Sequence, residues 1–219
     1  MLLSAQNVKR SYHAKYQRVQ AVRNMSRELK PGKLSAVTGE SGRGKTTLLS
    51  LLAGLELSET GSVLLDGESL CEMNIDRYGK SHCAVIYRHF NLFPLLSVKD
   101  KLPLNRRSKT RALACAKKTL GRFGQSEAYS KRLPDMLSRG EQQRAVITRA
   151  PAAAAKLKLA DEPTGNLAAE NMRSIVERLF TLAYSQGLCI LTATHNPDTA
   201  GEGGPSVEHE QRAHCGGTV

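Results

Sequence analysis

The sequence predicts an α/β fold in which a mostly parallel sheet is flanked by helices and carries a phosphate-binding loop. Residues 39–46 read GESGRGKT, which fits the pattern G-x-x-x-x-G-K-S/T. Short apolar runs alternate with amphipathic segments along most of the chain, which is typical of parallel sheets with covering helices. These two observations together predict a P-loop NTPase core.

The loop lies where its chemistry requires it. The apolar run 34–37 is expected to form a buried strand before it, and residues 47–53 fit a helix after it. Glycines let successive backbone N–H groups point at one phosphate, at the positive end of that helix. Lys45 would reach the outer phosphates, and the Thr46 hydroxyl would hold Mg²⁺. The pattern therefore predicts a site for ATP or GTP.

The remaining elements follow from hydrophobic periodicity. Residues 1–30 alternate as N-terminal antiparallel strands do, and Pro31-Gly32 supplies a turn. Further strands are predicted at 63–65, 83–87, 157–160 and 188–191, and helices at 98–132, 140–150 and 169–185. The stretch 98–132 interrupts the alternation, so we interpret it as part of an inserted helical lobe at about residues 90–150.

Composition sets the class of protein. The 219 residues fit one large domain, and five scattered cysteines without a C-x-x-C pair indicate a reducing compartment. No apolar run approaches the roughly 18 residues that span a bilayer, and residues 1–10 lack a signal-peptide pattern. We therefore expect a cytoplasmic protein. Residues 201–219 are polar and Gly-rich, and we expect a disordered or loosely attached tail there.

The net charge of +12 is concentrated in the middle of the chain. Residues 76–132 hold 14 Lys or Arg against 3 acidic residues, an excess of +11. One interpretation is a solvated helical face; the others are contact with an anionic membrane surface, an acidic partner or nucleic acid. Aromatic residues are only thinly interleaved with the basic ones, so base stacking, and with it nucleic acid as a partner, has little support.

A second group of motifs lies in the other half of the chain. Residues 161–167 read DEPTGNL, and an acidic pair at a strand end is where P-loop proteins place a magnesium-binding Asp161 and a water-activating Glu162. Upstream, the stretch LSRGEQQR has Ser138 at a helix-capping position. Downstream, His195 follows an apolar strand, where a contact with a γ-phosphate would need it.

The order of these motifs resembles that of the ATP-binding subunit of an ABC transporter, in particular the class serving lipoprotein release and macrolide or peptide export. The resemblance covers about residues 2–200 and implies an ABC ATPase domain over 1–200. It implies that two such subunits, as a homodimer or pseudo-dimer, sandwich two ATP molecules head to tail. They would drive a separate membrane-spanning transporter subunit from the inner face of the cell membrane.

The resemblance also implies roles for single residues. Tyr12 would stack on adenine. The implied nucleotide-binding residues are Tyr12, Gly39, Glu40, Ser41, Gly42, Arg43, Gly44, Lys45, Thr46 and Thr47. Thr46 and Asp161 would ligate Mg²⁺, and the implied catalytic residues are Lys45, Glu162 as general base and His195. Ser138 and Gly140 would face the ATP bound by the opposite subunit.

Several residues depart from the family's pattern. Arg88 stands in place of a glutamine that helps position magnesium and water, Arg139 in place of the first signature glycine, and Ala168 in place of an aspartate. Glu141 replaces a glutamine, a mild change. Lys158 lies within a predicted buried strand, where an unpaired charge would cost several kcal/mol or lose its proton.

Three hypotheses of function remain open on the sequence alone. The first is an ATP-hydrolysing transporter subunit, with activity weakened by Arg88, Arg139 and Ala168. The second is a non-hydrolysing, ATP-sensing module of an ABC-type complex, which the same three residues suggest. The third, an ABC-type ATPase acting on nucleic acid, has only the basic stretch in its favour.

Overall fold

The computed structural model describes residues 2–14, 17–87, 131–138, 141–142, 155–165, 169–195 and 208–210. Nearly all of the predicted helical lobe lies outside these residues, and so do four positions that the sequence singled out. These four are Arg88, Arg139, Gly140 and Ala168. The lobe and the roles of those residues therefore stay predictions.

The N-terminal part of the chain forms an antiparallel sheet, as predicted. Its strands pair in the order β2-β1-β4-β5. Their bounds are Leu3–Ala14 for β1, Gln17–Leu29 for β2, Thr60–Leu65 for β4 and Glu68–Ser69 for β5. Alternate residues of β1, such as Leu3 and Ala5, are buried, which is the pattern that predicted a half-buried sheet.

A second sheet is parallel throughout its described pairs, in the order β6-β7-β8-β3-β9. The strand bounds are Leu34–Thr38 for β3, Cys83–Ile86 for β6, Leu157–Asp161 for β7, Cys189–Thr194 for β8 and Glu208–Glu210 for β9. The predicted mostly parallel sheet is confirmed. The sequence did not predict β9, because backbone pairing at a sheet edge requires no apolar pattern.

Helices cover the parallel sheet. Helix α1 spans Lys45–Leu52, α2 spans Ile75–Ser81 and α3 spans Ala169–Gln186. The sequence predicted α1 and α3 but missed α2, which is short and buries little besides Tyr78. The Asn74 side chain accepts a hydrogen bond from the Arg77 N–H, and this N-cap was the available signal for α2. No helix in the described part of the chain is long and apolar enough to span a membrane.

Two apolar clusters hold the layers together. One lies between the antiparallel sheet, α1 and one face of the parallel sheet, and contains Leu48, Leu157 and Leu191. The other lies between the opposite face and α3, and contains Ile175 and Ile190. Because both faces of the parallel sheet are buried, its strands read as continuous apolar runs.

Lys158 is the polar exception inside this sheet. The residue is only 2% exposed and has an interaction partner, so it is not the unpaired buried charge that the sequence raised as a possibility. Burial raises the pKa of the nearby Cys83 thiol to about 12, against the lowering effects of the Tyr78 hydrogen bond and of the Lys158 charge. Lys158 is therefore accommodated by its neighbours within the sheet.

Candidate nucleotide-binding site

Three neighbouring strands bring the predicted site residues to one edge of the sheet. The phosphate loop follows β3, Asp161 ends β7, and His195 follows β8. The order β7-β8-β3 makes these strands adjacent, and all three run parallel. The carboxyl ends of parallel strands are where α/β proteins bind ligands.

Lys45 is held by the loop that precedes it. Its buried Nζ donates hydrogen bonds to the carbonyls of Gly39, at 2.7 Å, and Glu40, at 2.9 Å. Gly44 has φ +76°, and a Cβ there would lie 1.9 Å from the Ala21 carbonyl oxygen. Only glycine fits at that position, so the loop conformation is set by backbone contact as well as by its own sequence.

The other loop residues lie at the surface. Ser41, Gly42 and Arg43 are exposed, and Gly42 has φ +80°. The Arg43 guanidinium pairs with the Glu40 carboxylate at 3.0 Å. An arginine on the rim places positive charge where an anionic ligand would approach. The loop therefore carries two cationic side chains, Lys45 within it and Arg43, paired with Glu40, on its rim.

Thr46 and Asp161 come together although 115 residues separate them. The Thr46 Oγ1 donates a hydrogen bond to the Asp161 Oδ2 at 2.8 Å. Hydroxyl and carboxylate oxygens are ligands that Mg²⁺ accepts, usually one or two from the protein with water and phosphate completing the shell. Among the described residues no group of three or more His, Cys, Asp or Glu could hold a metal. The two oxygens fit the predicted magnesium site.

Glu162 has an unusual backbone. Its φ is +49°, a left-handed conformation that costs a non-glycine residue roughly 1–2 kcal/mol. The Glu162 N–H donates to the Ala193 carbonyl at 2.8 Å, and its own carbonyl accepts from the Gly165 N–H at 3.2 Å. These bonds hold the strained residue at the end of β7. Strain of this kind concentrates at functional sites.

The Glu162 carboxylate is buried, and within the described part of the chain only one of its two oxygens has a partner. The residue is 6% exposed, and Oε1 lies 2.8 Å from Nδ1 of His195. Oε2 is buried and has no hydrogen-bond partner among the described residues. A buried carboxylate oxygen left as a spare acceptor is costly, and its cost calls for a functional explanation. With His195 orienting one oxygen, the other can accept a proton.

Tyr12 lies beside the first turn of α1. Its hydroxyl is 3.5 Å from Oγ1 of Thr47 and donates a 2.7 Å hydrogen bond to Oε2 of Glu56. Tyr12 is therefore next to the phosphate loop and 38% exposed, as stacking on a nucleotide base would require. The sequence did not single out Glu56, since a separation of 44 residues from Tyr12 leaves no local pattern.

Ser138 caps a helix, as its motif predicted. Its N–H donates to Oε2 of Glu141 at 2.8 Å, and the Glu141 N–H donates back to the Ser138 Oγ at 3.3 Å. This reciprocal pair is a capping box. Glu141 therefore performs a local role with its carboxylate. The contact of Ser138 and Gly140 with an opposite ATP stays a prediction.

A phosphate loop after one parallel strand, with an Asp–Glu pair on a near neighbour, defines a P-loop nucleotide-binding protein. The family model described as ABC transporter matches residues 22–165, well over half of the chain. The chain belongs to this family, and its resemblance to ABC transporter ATP-binding subunits is confirmed.

Relatives and solved structures agree with this assignment. The lipoprotein-releasing system ATP-binding protein LolD 1 of Rhodospirillum rubrum is 38% identical over 177 residues, covering 78% of each chain. LolD of a Shewanella species is 35% identical over 207 residues, covering 91% of this chain and 89% of that protein. The dimeric structure of MJ0796, a bacterial ABC transporter cassette, matches with a TM-score of 0.82 and 27% identity, covering 91% of this chain and 90% of that one.

Proposed function

We propose that this chain is the ATP-binding and ATP-hydrolysing subunit of an ABC transporter, and that it powers export or release of a substrate through a separate membrane-spanning partner. The observation that carries the hydrolytic role is Glu162. Its backbone is strained, its buried carboxylate pairs through one oxygen with His195, and the second oxygen has no hydrogen-bond partner among the described residues. A carboxylate that is held in place through one oxygen and has an acceptor available on the other is suited to act as a general base.

The chemistry follows from the order of groups at the sheet edge. The loop N–H groups and Lys45 would bind the β- and γ-phosphates, and Thr46 and Asp161 would hold Mg²⁺. When bound, Mg²⁺ neutralises charge on the phosphate oxygens. Glu162 Oε2 accepts a proton from the water that attacks the γ-phosphorus, and His195 keeps the carboxylate oriented. The bond to the β-phosphate oxygen breaks, which leaves ADP and phosphate.

A dimer is the proposed working unit. MJ0796 has been solved as a dimer, and its post-hydrolysis state bound to ADP and Pi matches this chain with a TM-score of 0.80 and 26% identity, covering 90% of each chain. In our proposal Ser138 and Gly140 of one copy contact the ATP held by the other. The names of the relatives favour a membrane partner that releases lipoproteins, with this subunit at the inner face of the membrane.

The test is nucleotide-dependent dimerisation of a Glu162→Gln variant. The amide keeps the shape of the side chain but cannot accept the proton, so bound ATP should persist and hold two copies together. Sedimentation velocity should show a dimer with ATP and Mg²⁺ and a monomer with ADP. The matched control carries Lys45→Ala as well and should stay monomeric. A Glu162→Gln protein that binds ATP yet remains monomeric would contradict the proposal.

A further inference from the structure

Two charged residues hold the Tyr12 side chain, and the proposed hydrolysis uses neither. The Glu56 Oε2 accepts hydrogen bonds from the Tyr12 hydroxyl, at 2.7 Å, and from the Arg10 Nε–H, at 3.2 Å. The Arg10 guanidinium carbon also lies 5.3 Å from the centre of the Tyr12 ring. We call these three residues, Arg10, Tyr12 and Glu56, the tyrosine clamp. Both the hydroxyl and one face of the ring are therefore engaged.

The end of helix α1 delivers Glu56 to the clamp. Gly54 has φ +70°, and its N–H donates to the Leu51 carbonyl at 3.1 Å. The next N–H, of Leu55, donates to the Ser50 carbonyl at 2.9 Å. These two bonds form a Schellman motif, which ends the helix and turns the chain sharply. The phosphate loop therefore lies just before α1, and Glu56 lies just after the turn that ends this helix.

The clamp fixes the ring relative to the phosphate site. The Tyr12 hydroxyl is 3.5 Å from the Oγ1 of Thr47, the neighbour of the proposed magnesium ligand Thr46. Because Arg10 covers one face of the ring, a planar base would have to stack on the other. A cation over an aromatic ring is attracted to the π electrons and pulls electron density toward itself. The opposite face of the ring then prefers an electron-rich partner such as a purine.

We propose that Glu56 and Arg10 are positioning residues that hold Tyr12 as the stacking platform for a purine base. This inference rests on the proposed nucleotide-binding function. The clamp sets the affinity for the nucleoside half of the ligand. It leaves the affinity for the phosphates, and the turnover of ATP once bound, unchanged.

The test compares two probes, ATP and inorganic tripolyphosphate, each with Mg²⁺. Glu56→Ala and Tyr12→Phe should each weaken ATP binding about five- to tenfold, the loss expected from one net hydrogen bond. Both should bind tripolyphosphate as the wild type does, and in steady state KM should rise while kcat stays constant. The double variant Glu56→Ala/Tyr12→Phe should bind ATP no more weakly than Glu56→Ala, because both substitutions remove the same hydrogen bond. Glu56→Gln keeps an acceptor and should recover part of the affinity.

Glu59→Ala is the matched control. Glu59 contacts both β1, which carries Arg10 and Tyr12, and β2. It accepts hydrogen bonds from the Ser11 N–H at 2.9 Å and from Arg18 at 3.3 Å. Its side-chain partners are Ser11 and Arg18 rather than the residues of the clamp, so ATP affinity should stay within about twofold of the wild type, which is less than the loss of one net hydrogen bond. Thermal unfolding of each variant confirms that it is folded.

Three results would overturn the inference. The first is an unchanged ATP affinity in Glu56→Ala, and the second is an equal loss for tripolyphosphate, which would place the effect at the phosphates. The third is an equal loss of ATP affinity in Glu59→Ala, which would assign the effect to the pair of strands β1 and β2 as a whole. A wild-type protein that binds neither probe would instead remove the proposed function, and the inference with it.

Discussion

At the scale of single residues, the sequence predicts the placement of side chains that belong to a local motif, but it does not predict contacts between distant segments. Lys45 and Thr46 lie in a recognisable loop, and Asp161 ends an apolar strand. The sequence therefore predicts that Thr46 and Asp161 lie together, and a 2.8 Å hydrogen bond joins them. The left-handed backbone of Glu162 and the pairing of Glu56 with Tyr12 could not be inferred. Both depend on contacts between segments far apart in the chain.

The pairing of Thr46 with Asp161 predicts a change in magnesium dependence. Asp161→Asn replaces a charged ligand with a neutral amide, so the Mg²⁺ concentration for half-maximal ATP hydrolysis should rise about tenfold or more. Without the metal, the substitution should change ATP binding by less than the contribution of one net hydrogen bond. ATP affinity measured in EDTA should therefore remain within about twofold of the wild type. A variant with an unaltered Mg²⁺ requirement would show that Asp161 is not a ligand.

At the scale of secondary structure, strong periodicity predicted the elements and weak periodicity missed them. Strands β3, β7 and β8 read as apolar runs because both faces of their sheet are buried. Helix α2 buries one large side chain and β9 is polar, so neither carries a periodic signal. Tertiary packing and edge pairing decide such short elements.

The close approach of β1 and β4 makes Gly61 irreplaceable. It has φ +77°, and a Cβ there would lie 2.3 Å from the Gln6 carbonyl oxygen and 2.4 Å from that of Asn7. Gly61→Ala should therefore lower the free energy of unfolding by about 3 kcal/mol, as strain and a backbone clash combine.

The control for that change is Gly79→Ala in α2. A Cβ at Gly79 meets nothing within 4 Å. Alanine is a better helix former than glycine, so this variant should gain up to about 1 kcal/mol. Equilibrium urea unfolding measures both. Equal effects of the two substitutions would contradict the tight packing of β4 against β1.

At the scale of the whole molecule, the layered architecture follows from the alternation of strands and helices, whereas the environment of single buried groups does not. Burial raises the pKa of the Cys83 and Cys189 thiols to about 12 each. Free cysteines are usually small buried hydrophobes, and these two are buried. Exposed Cys71 breaks the pattern, since no periodic apolar face includes it.

Thiol reactivity should separate these cysteines. At pH 8, iodoacetamide should modify Cys71 in the native protein and spare Cys83 and Cys189 until urea unfolds the chain, because only thiolate reacts. Peptide mapping distinguishes them from Cys115 and Cys215. Equal labelling of all three in the native state would contradict the buried placement of Cys83 and Cys189.

The same burial gives stability a pH dependence. The folded pKa values lie above the ordinary thiol value of 9.0, so the unfolded chain ionises first as pH rises. The contribution of these thiols is complete below about pH 9 and is lost between pH 9 and 12. In Cys83→Ala the fall in stability over this interval should be smaller than in the wild type, measured by urea unfolding.

Magnesium-dependent release of phosphate from ATP by the purified protein, with Lys45→Ala as the blank, tests the central claim most directly. The account predicts turnover that requires Mg²⁺ and disappears in Lys45→Ala, because the buried ammonium group at the centre of the loop is needed for the phosphates. Retained ATP binding without any turnover, also in the presence of the membrane-spanning partner, would contradict a hydrolytic role and favour the ATP-sensing module.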